Sequence, residues 1–297
     1  MKRHLSTIVA SALAVSAITL LGTGLAASAD WRGSTSLVTK NYPVSGSFSS
    51  VSVTDYYADV QLRASRDGSV SVTTRDTQDV THTVQVVNGT LTISRPEPNL
   101  GQRIFHDDDD DPTVIVYLPA GDYGSLTVNT TAGDIESAGQ LNFASANLTS
   151  TAGDIDITGS VTQSLVCTTT TGDVEVNSPA AGAVQISTNT GDAELTGVSA
   201  QSLSIQTNTG DADLERTVAA GAIEISTTTG DIELERSDAA SLTLSTTSGD
   251  VEGSLLTGKT FSASSTSGRV SVPASTPGAG ACNVSTTSGS IRLTVRP

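Results

Sequence analysis

Fourteen carboxylates recur at two fixed places in this chain. Asp134, Asp154, Asp173, Asp192, Asp211, Asp231 and Asp250 each follow a glycine. Two residues after each comes a second acid: Glu136, Asp156, Glu175, Glu194, Asp213, Glu233 and Glu252. Acids stacked at one strand spacing offer oxygen ligands to a hard cation, so the first column is read as a weak calcium or cationic-partner strip. The same residues also serve as turn caps and as a charged surface that protects strand edges. Neighbouring charges about 5 Å apart in water repel by under roughly 1 kcal/mol, and salt reduces this further. An exposed acidic strip is therefore tolerable without a bound ion.

Other reactive types are sparse. His106 precedes the run Asp107, Asp108, Asp109, Asp110 and Asp111. Such a run reads as a solvated loop, with cation binding as the alternative. His82, between Thr81 and Thr83, reads as structural. Thr-x-Thr pairs at Thr169/Thr171, Thr188/Thr190, Thr207/Thr209 and Thr227/Thr229 suggest flat hydroxyl arrays like those of ice-binding surfaces, but an adjoining charged column and an inward first Thr argue against that use. Arg216 and Arg236 stand beside Glu215 and Glu235 and read as exposed ion pairs. A polysaccharide lyase or hydrolase would need a unique acid pair or a calcium–base set in an aromatic groove. Here the acid pairs belong to the repeat itself, with no nucleophile–base pair, phosphate loop or zinc spacing. No catalytic residues and no cofactor are expected.

The elements that must hold these columns follow from the period. The glycines 133, 153, 172, 191, 210, 230, 249, 268 and 289 recur every 19 to 21 residues, which indicates a stacked repeat architecture. Around each glycine the apolar residues alternate with polar ones, so each repeat is strand, corner, strand and return loop. The expected fold is all-β: a single-chain parallel β-solenoid of about 19–20 residues per coil. Nine coils at about 4.8 Å make a stack roughly 40 Å long. Thr or Ser stands three residues before each glycine, from Thr130 and Ser150 to Thr286, and points inward beside the corner, where hydroxyls bond along the stack. Cys167 and Cys282 fall on inward positions six coils apart, about 29 Å, and are read as buried thiols rather than a disulfide.

Residues 30–120 are less regular and are expected to form an enlarged, irregular N-terminal β cap. Residues 121–297 form the regular repeats. Ser50 to Leu62 reads as one strand, and Asn88-Gly89 as a hairpin turn. Tyr57 to Leu62 echoes the repeat around Gly172-Asp173, and most aromatics lie before Phe143. Residues 1–29 read as a signal peptide: Lys2 and Arg3, an apolar run from Ile8 to Leu25, and Ala27-Ser28-Ala29 before a cut near Ala29-Asp30. An uncleaved anchor is the alternative. No membrane span is expected after cleavage. The composition agrees with an exported repeat protein: aromatics are 3%, and the net charge of −16 argues against nucleic acid as a partner.

The run Val114-Ile115-Val116-Tyr117-Leu118-Pro119, followed by Leu126-Thr127-Val128-Asn129-Thr130-Thr131-Ala132-Gly133-Asp134-Ile135, resembles the bacterial candidate-adhesin, β-strand-repeat family of unknown function. The likeness covers about residues 48 to 297 and departs at Arg269 and Ser290. It implies a secreted or envelope-associated β-solenoid and supplies no catalytic residues. The resulting expectation is a non-catalytic module whose acidic and hydroxyl columns attach it to a cell-surface or envelope component, protein or glycan. The alternative is an envelope-stress or signalling accessory that binds a protein partner through Tyr56 and Tyr57 of the cap.

Overall fold

A computed structural model describes residues 37–78, 80–96, 112–178 and 181–296. The signal peptide and its cut, Trp31, Phe105, His106 and Asp107 to Asp111 lie outside the described residues. Within them the chain is all-β, with 25 strands that are mostly parallel. Each repeat contributes a strand to each of two faces. On one face lie the short strands that follow the Gly-Asp pairs, among them Ile155–Ile157, Val174–Val176 and Ala193–Thr196, paired in parallel and in register. On the other lie the longer strands, among them Leu141–Thr149, Val161–Thr168 and Ser202–Gln206. The alternation read from the sequence is the alternation observed. Leu148, Cys167, Ile186 and Ile205 of one face, and Ile155, Val174, Ala193 and Ala212 of the other, are fully buried in a core of small and branched side chains.

The coils do not stack in strict chain order. At one end, Ser50–Thr54 lies between Thr90–Ser94 and the strand Gly121–Asn129. Likewise Asp59–Ala64 lies between Thr113–Leu118 and Ile135–Ser137. At the other end, Ala281–Ser288 lies between the Leu242–Ser248 segment and Thr260–Ser267, and Ile291–Val295 lies between Val251–Leu255 and Val270–Ser271. The last two coils of the sequence thus exchange places. Their composition explains the exchange: Cys282, Val284, Ile291 and Leu293 are all buried in the inner slot, whereas the outer coil carries the exposed Arg269 and Val270. Cys282 accordingly sits five coils from Cys167, not six. That is about 24 Å and still far beyond disulfide reach, and both thiols are free and buried.

The segment before the repeats departs from the parallel pattern. Val38–Pro43 pairs antiparallel with Ser71–Asp76, which pairs antiparallel with Thr113–Leu118. Thr83–Val87 and Thr90–Ser94 form the hairpin expected at Asn88-Gly89, with φ of 51° and 75° at the two turn residues. The single strand expected from Ser50 to Leu62 is instead two. Asp55 breaks it, because its Oδ1 accepts the N–H groups of Tyr56, Tyr57 and Ala58 at 2.7, 3.0 and 3.1 Å. A carboxylate that takes three consecutive backbone donors folds the chain into a corner.

Candidate functional site

Each corner of the regular repeats is built on a glycine, whereas Ala58 stands at that place in the first coil. From Gly133 to Gly230 the corner glycines of the regular coils have φ between 142° and 150°, which L side chains rarely adopt. A Cβ at Gly191 would also lie 2.0 Å from the carbonyl oxygen of Gly172 in the coil below. The coils therefore approach one another through bare backbone at this column.

The aspartates complete the corner across coils rather than within them. The Asp134 N–H donates to Asp59 Oδ1 at 2.9 Å, and the Asp154 N–H to Asp134 Oδ1 at 2.8 Å. Asp173, Asp192, Asp211, Asp231 and Asp250 continue the series at 2.7 Å, each N–H donating to the aspartate one coil below. The Ser290 N–H ends it on Asp250. All seven candidate aspartates thus lie in one hydrogen-bonded ladder, which starts at Asp59. Five of them are exposed, and Asp192 and Asp211 are half-buried. One oxygen of each holds the next coil.

The inward hydroxyls repeat the device on the other side of the glycine. Thr169, Thr188, Thr207 and Thr246 are buried and donate from Oγ1 to the carbonyl oxygens of Gly153, Gly172, Gly191 and Gly230 at 3.0 to 3.3 Å. The second residues of the Thr-x-Thr pairs, Thr171, Thr190, Thr209 and Thr229, are exposed and paired in register.

The second acidic column is in register too: Glu136, Asp156, Glu175, Glu194, Asp213, Glu233 and Glu252 face one another coil by coil. Burial, then the charges of Glu233, Asp211, Glu194 and Asp192, push the Asp213 carboxyl up to about 6. Burial and the flanking Glu175 and Glu136 likewise raise Asp156. Among the described residues no group of three or more His, Cys, Asp or Glu is arranged to hold a metal ion. Arg216 pairs with Glu215 as expected, whereas Arg236 makes no such pair with Glu235.

Tyr56 and Tyr57 lie beside a buried polar cluster that the sequence did not reveal. Asp55 Oδ2 meets His82 Nε2 at 2.7 Å, and Arg95 bridges Asp55 at 3.4 Å and Asp76 at 3.2 Å. Burial alone would raise the Asp55 carboxyl. The His82 hydrogen bond, the Tyr57 N–H, and the charges of His82 and Arg95 outweigh it and hold the carboxyl down at about 2. The Arg95 guanidinium lies 5.3 Å from the Tyr57 ring centroid, a cation–π contact. The Tyr56 carbonyl accepts the Ala132 N–H at 2.9 Å. Both tyrosines are half-buried parts of this corner.

A stack of short parallel strands, cornered on Gly-Asp pairs and faced with carboxylate and hydroxyl columns, defines a repeat β-protein that presents a surface. The chain belongs to the Toastrack DUF4097 family, whose pattern it matches over residues 48–293. No curated protein matches it. Similar solved structures include a candidate adhesin from Bacteroides fragilis NCTC 9343, at 15% identity over 88% of this chain and 99% of the other, with a TM-score of 0.53. Another is a candidate adhesin from Parabacteroides merdae ATCC 43184, at 12% identity over 88% and 98%, with a TM-score of 0.50. A candidate lipid-binding protein from Parabacteroides distasonis ATCC 8503 aligns at 14% identity over 88% and 98%, with a TM-score of 0.49. At these identities the likeness is one of fold. No helix among the described residues is long and apolar enough to cross a membrane.

Proposed function

We propose that this chain is an exported, non-catalytic β-solenoid that attaches to a cell-surface or envelope component through its stacked acidic and hydroxyl columns. The observation that carries this reading is the aspartate ladder. Its structural work occupies Oδ1 of Asp134, Asp154, Asp173, Asp192, Asp211, Asp231 and Asp250, so Oδ2 of these seven is offered for contacts coil by coil. Contacts that are individually weak add up when they repeat on a rigid support. The adhesin labels on similar structures support the same reading, as does the absence of cofactor chemistry in the sequence. Calcium is the cation of choice to bridge the columns to an acidic partner.

The test is retention of the chain from Asp30 onward on whole cells or isolated envelopes, with calcium, with magnesium, or with chelator. The triple change Asp173→Asn, Asp192→Asn and Asp211→Asn keeps an acceptor oxygen at each rung and removes three charges. Loss of retention with an unchanged melting temperature supports column-mediated attachment. Unchanged retention sinks it. If changes at Tyr56 or Tyr57 abolish retention instead, the N-terminal corner carries the contact and the signalling-accessory reading replaces this one. Release of unsaturated sugars from polysaccharide would sink the non-catalytic assignment.

A further inference from the structure

Among the described residues the strand pairing on the carboxylate face slips at one place, and a groove lies beside the slip. Leu195 and Leu214 face Leu234 coil by coil, but the next coil has Gly253 there. The pairing also slips: Leu234 faces Gly253 but Ser237 faces Leu255, so one extra residue is accommodated around Arg236. Arg236 is held at φ 49° in the left-handed region, with its N–H on Ser254 Oγ at 2.9 Å. The result is a cavity of about 570 Å³ lined by Glu233, Glu235, Glu252, Arg236, Arg292 and Arg296. That size suits a small ligand.

The charges in this groove are unusual for this molecule. No Asp or Glu occurs after Glu252, and the last basic residues are Lys259, Arg269, Arg292 and Arg296. Because Ile291–Val295 packs against Val251–Leu255, Arg292 and Arg296 of the cationic end of the sequence meet the end of the acidic column here. The opposite charges are only partly paired. Arg292 reaches Glu252 at a loose 3.6 Å, and among the described residues Arg236 and Arg296 make no ion pair with the glutamates of the same groove.

These features select the ligand chemistry. A plain anion is repelled by three glutamates and by the column that ends there. A plain cation finds equivalent acids along the whole column and gains nothing from the groove. A ligand with both signs satisfies both sets: its carboxylate meets the guanidinium forks, and its ammonium meets the glutamates. We propose that the groove between Arg236, Arg292, Arg296 and the facing glutamates is a binding site for a free amino acid or short peptide that carries both an ammonium and a carboxylate. Binding is weak, because the charged groups are solvent-exposed. The site shares Glu233 and Glu252 with the end of the second acidic column but uses none of the ladder aspartates, and it does not depend on the attachment role of the columns.

The test is NMR titration of the chain from Asp30 onward with unmodified alanylalanine, with its N-acetyl form and with its C-terminal amide. The expected result is binding of the unmodified dipeptide, with affinity reduced about fivefold or more when either end is blocked. The double variant Arg292→Glu and Arg296→Glu removes the penalty for blocking the carboxylate. Glu233→Gln with Glu235→Gln removes the penalty for blocking the amine. All four side chains are exposed, and an unchanged melting temperature confirms the fold of each variant. Absence of binding at about 10 mM dipeptide overturns the proposal, as does equal binding of the blocked forms. Loss of binding in the Asp173, Asp192 and Asp211 variant overturns it too, by placing the dipeptide on the columns.

Discussion

Replacing Lys259 by methionine tests how the two terminal coils are fastened. The Lys259 ammonium is buried, with 5% of its side chain exposed, and donates to Ala239 O at 2.7 Å and Thr257 Oγ1 at 2.8 Å. Its third donor meets Asp238 Oδ1 at 2.6 Å, and the Asp238 side chain is 7% exposed. All three ammonium donors are thus used. Asp238 also accepts from the Ala239 N–H and from Thr257 Oγ1. Methionine keeps most of the volume but leaves Asp238 as a buried charge without its counterion. Breaking such a pair from one side costs about 3–5 kcal/mol. At about 2–4 °C per kcal/mol for a chain of this size, the melting temperature should fall by roughly 10 °C. The double variant Lys259→Met with Asp238→Asn should recover much of the loss, because no unpaired charge remains. The assay is thermal unfolding followed by circular dichroism. A single variant that melts within about 2 °C of the parent would show that this cluster does not fasten the end of the stack, and that the pair is solvated in solution.

Other perturbations give separate readings. Gly191→Ala should prevent folding or cost more than about 4 kcal/mol, since its Cβ meets a backbone carbonyl at 2.0 Å and its φ is 143°. Gly197→Ala has only the φ of 67° against it and nothing within 4 Å, so a loss near 1 kcal/mol is expected when the two variants are compared by urea titration. Asp213 titrates near 6 when folded against 3.8 when unfolded, so the native state holds the extra proton between these values and stability falls as pH rises through that window. Asp213→Asn should flatten the pH profile of the melt from pH 4 to 6, by about 1 kcal/mol or less after solvent screening. The thiols of Cys167 and Cys282, pushed up to about 12 and about 11 mainly by burial, should stay inert to Ellman's reagent at neutral pH until the chain is unfolded in guanidinium.

The parts legible in the sequence were those that the period multiplies. A corner seen once is ambiguous, but Gly-Asp with an inward Thr three residues earlier, repeated coil after coil, fixes strand phase, face and stacking together. Even Asp59, far from the other rungs, announced itself through the echo around Tyr57 to Leu62. The order of the end coils was hidden for the same reason. Residues 260–271 and 281–295 share one register, so the period fits either order, and the choice rests on which coil better fills a slot buried on both sides. The cluster of Asp55, Asp76, His82 and Arg95 left no trace, because Arg95 reaches Asp55 across 40 positions and no period links them. The direction of the ladder was also invisible. A carboxylate beside a glycine reaches its own turn or its neighbour's with the same sequence.

The interleaved ends change what a pull on the molecule must do. In a stack wound in strict order, the last coil is an edge, and tension on the chain end peels it away across one row of hydrogen bonds. Here the final coil is held by ladders on both sides, to Leu242–Ser248 and Val251–Leu255 on one and to Thr260–Ser267 and Val270–Ser271 on the other. Drawing it out ruptures both ladders at once, and the coil at the rim cannot be reached by a load on the terminus until that has happened. The first coil is clasped in the same way, by Thr90–Ser94 and Thr113–Leu118 outside it. A load on the C-terminal coil thus meets two bonded flanks, whereas a load from the N-terminal side first meets Val38–Pro43, which is bonded only to Ser71–Asp76, and reaches the clasped coil after that strand has peeled away.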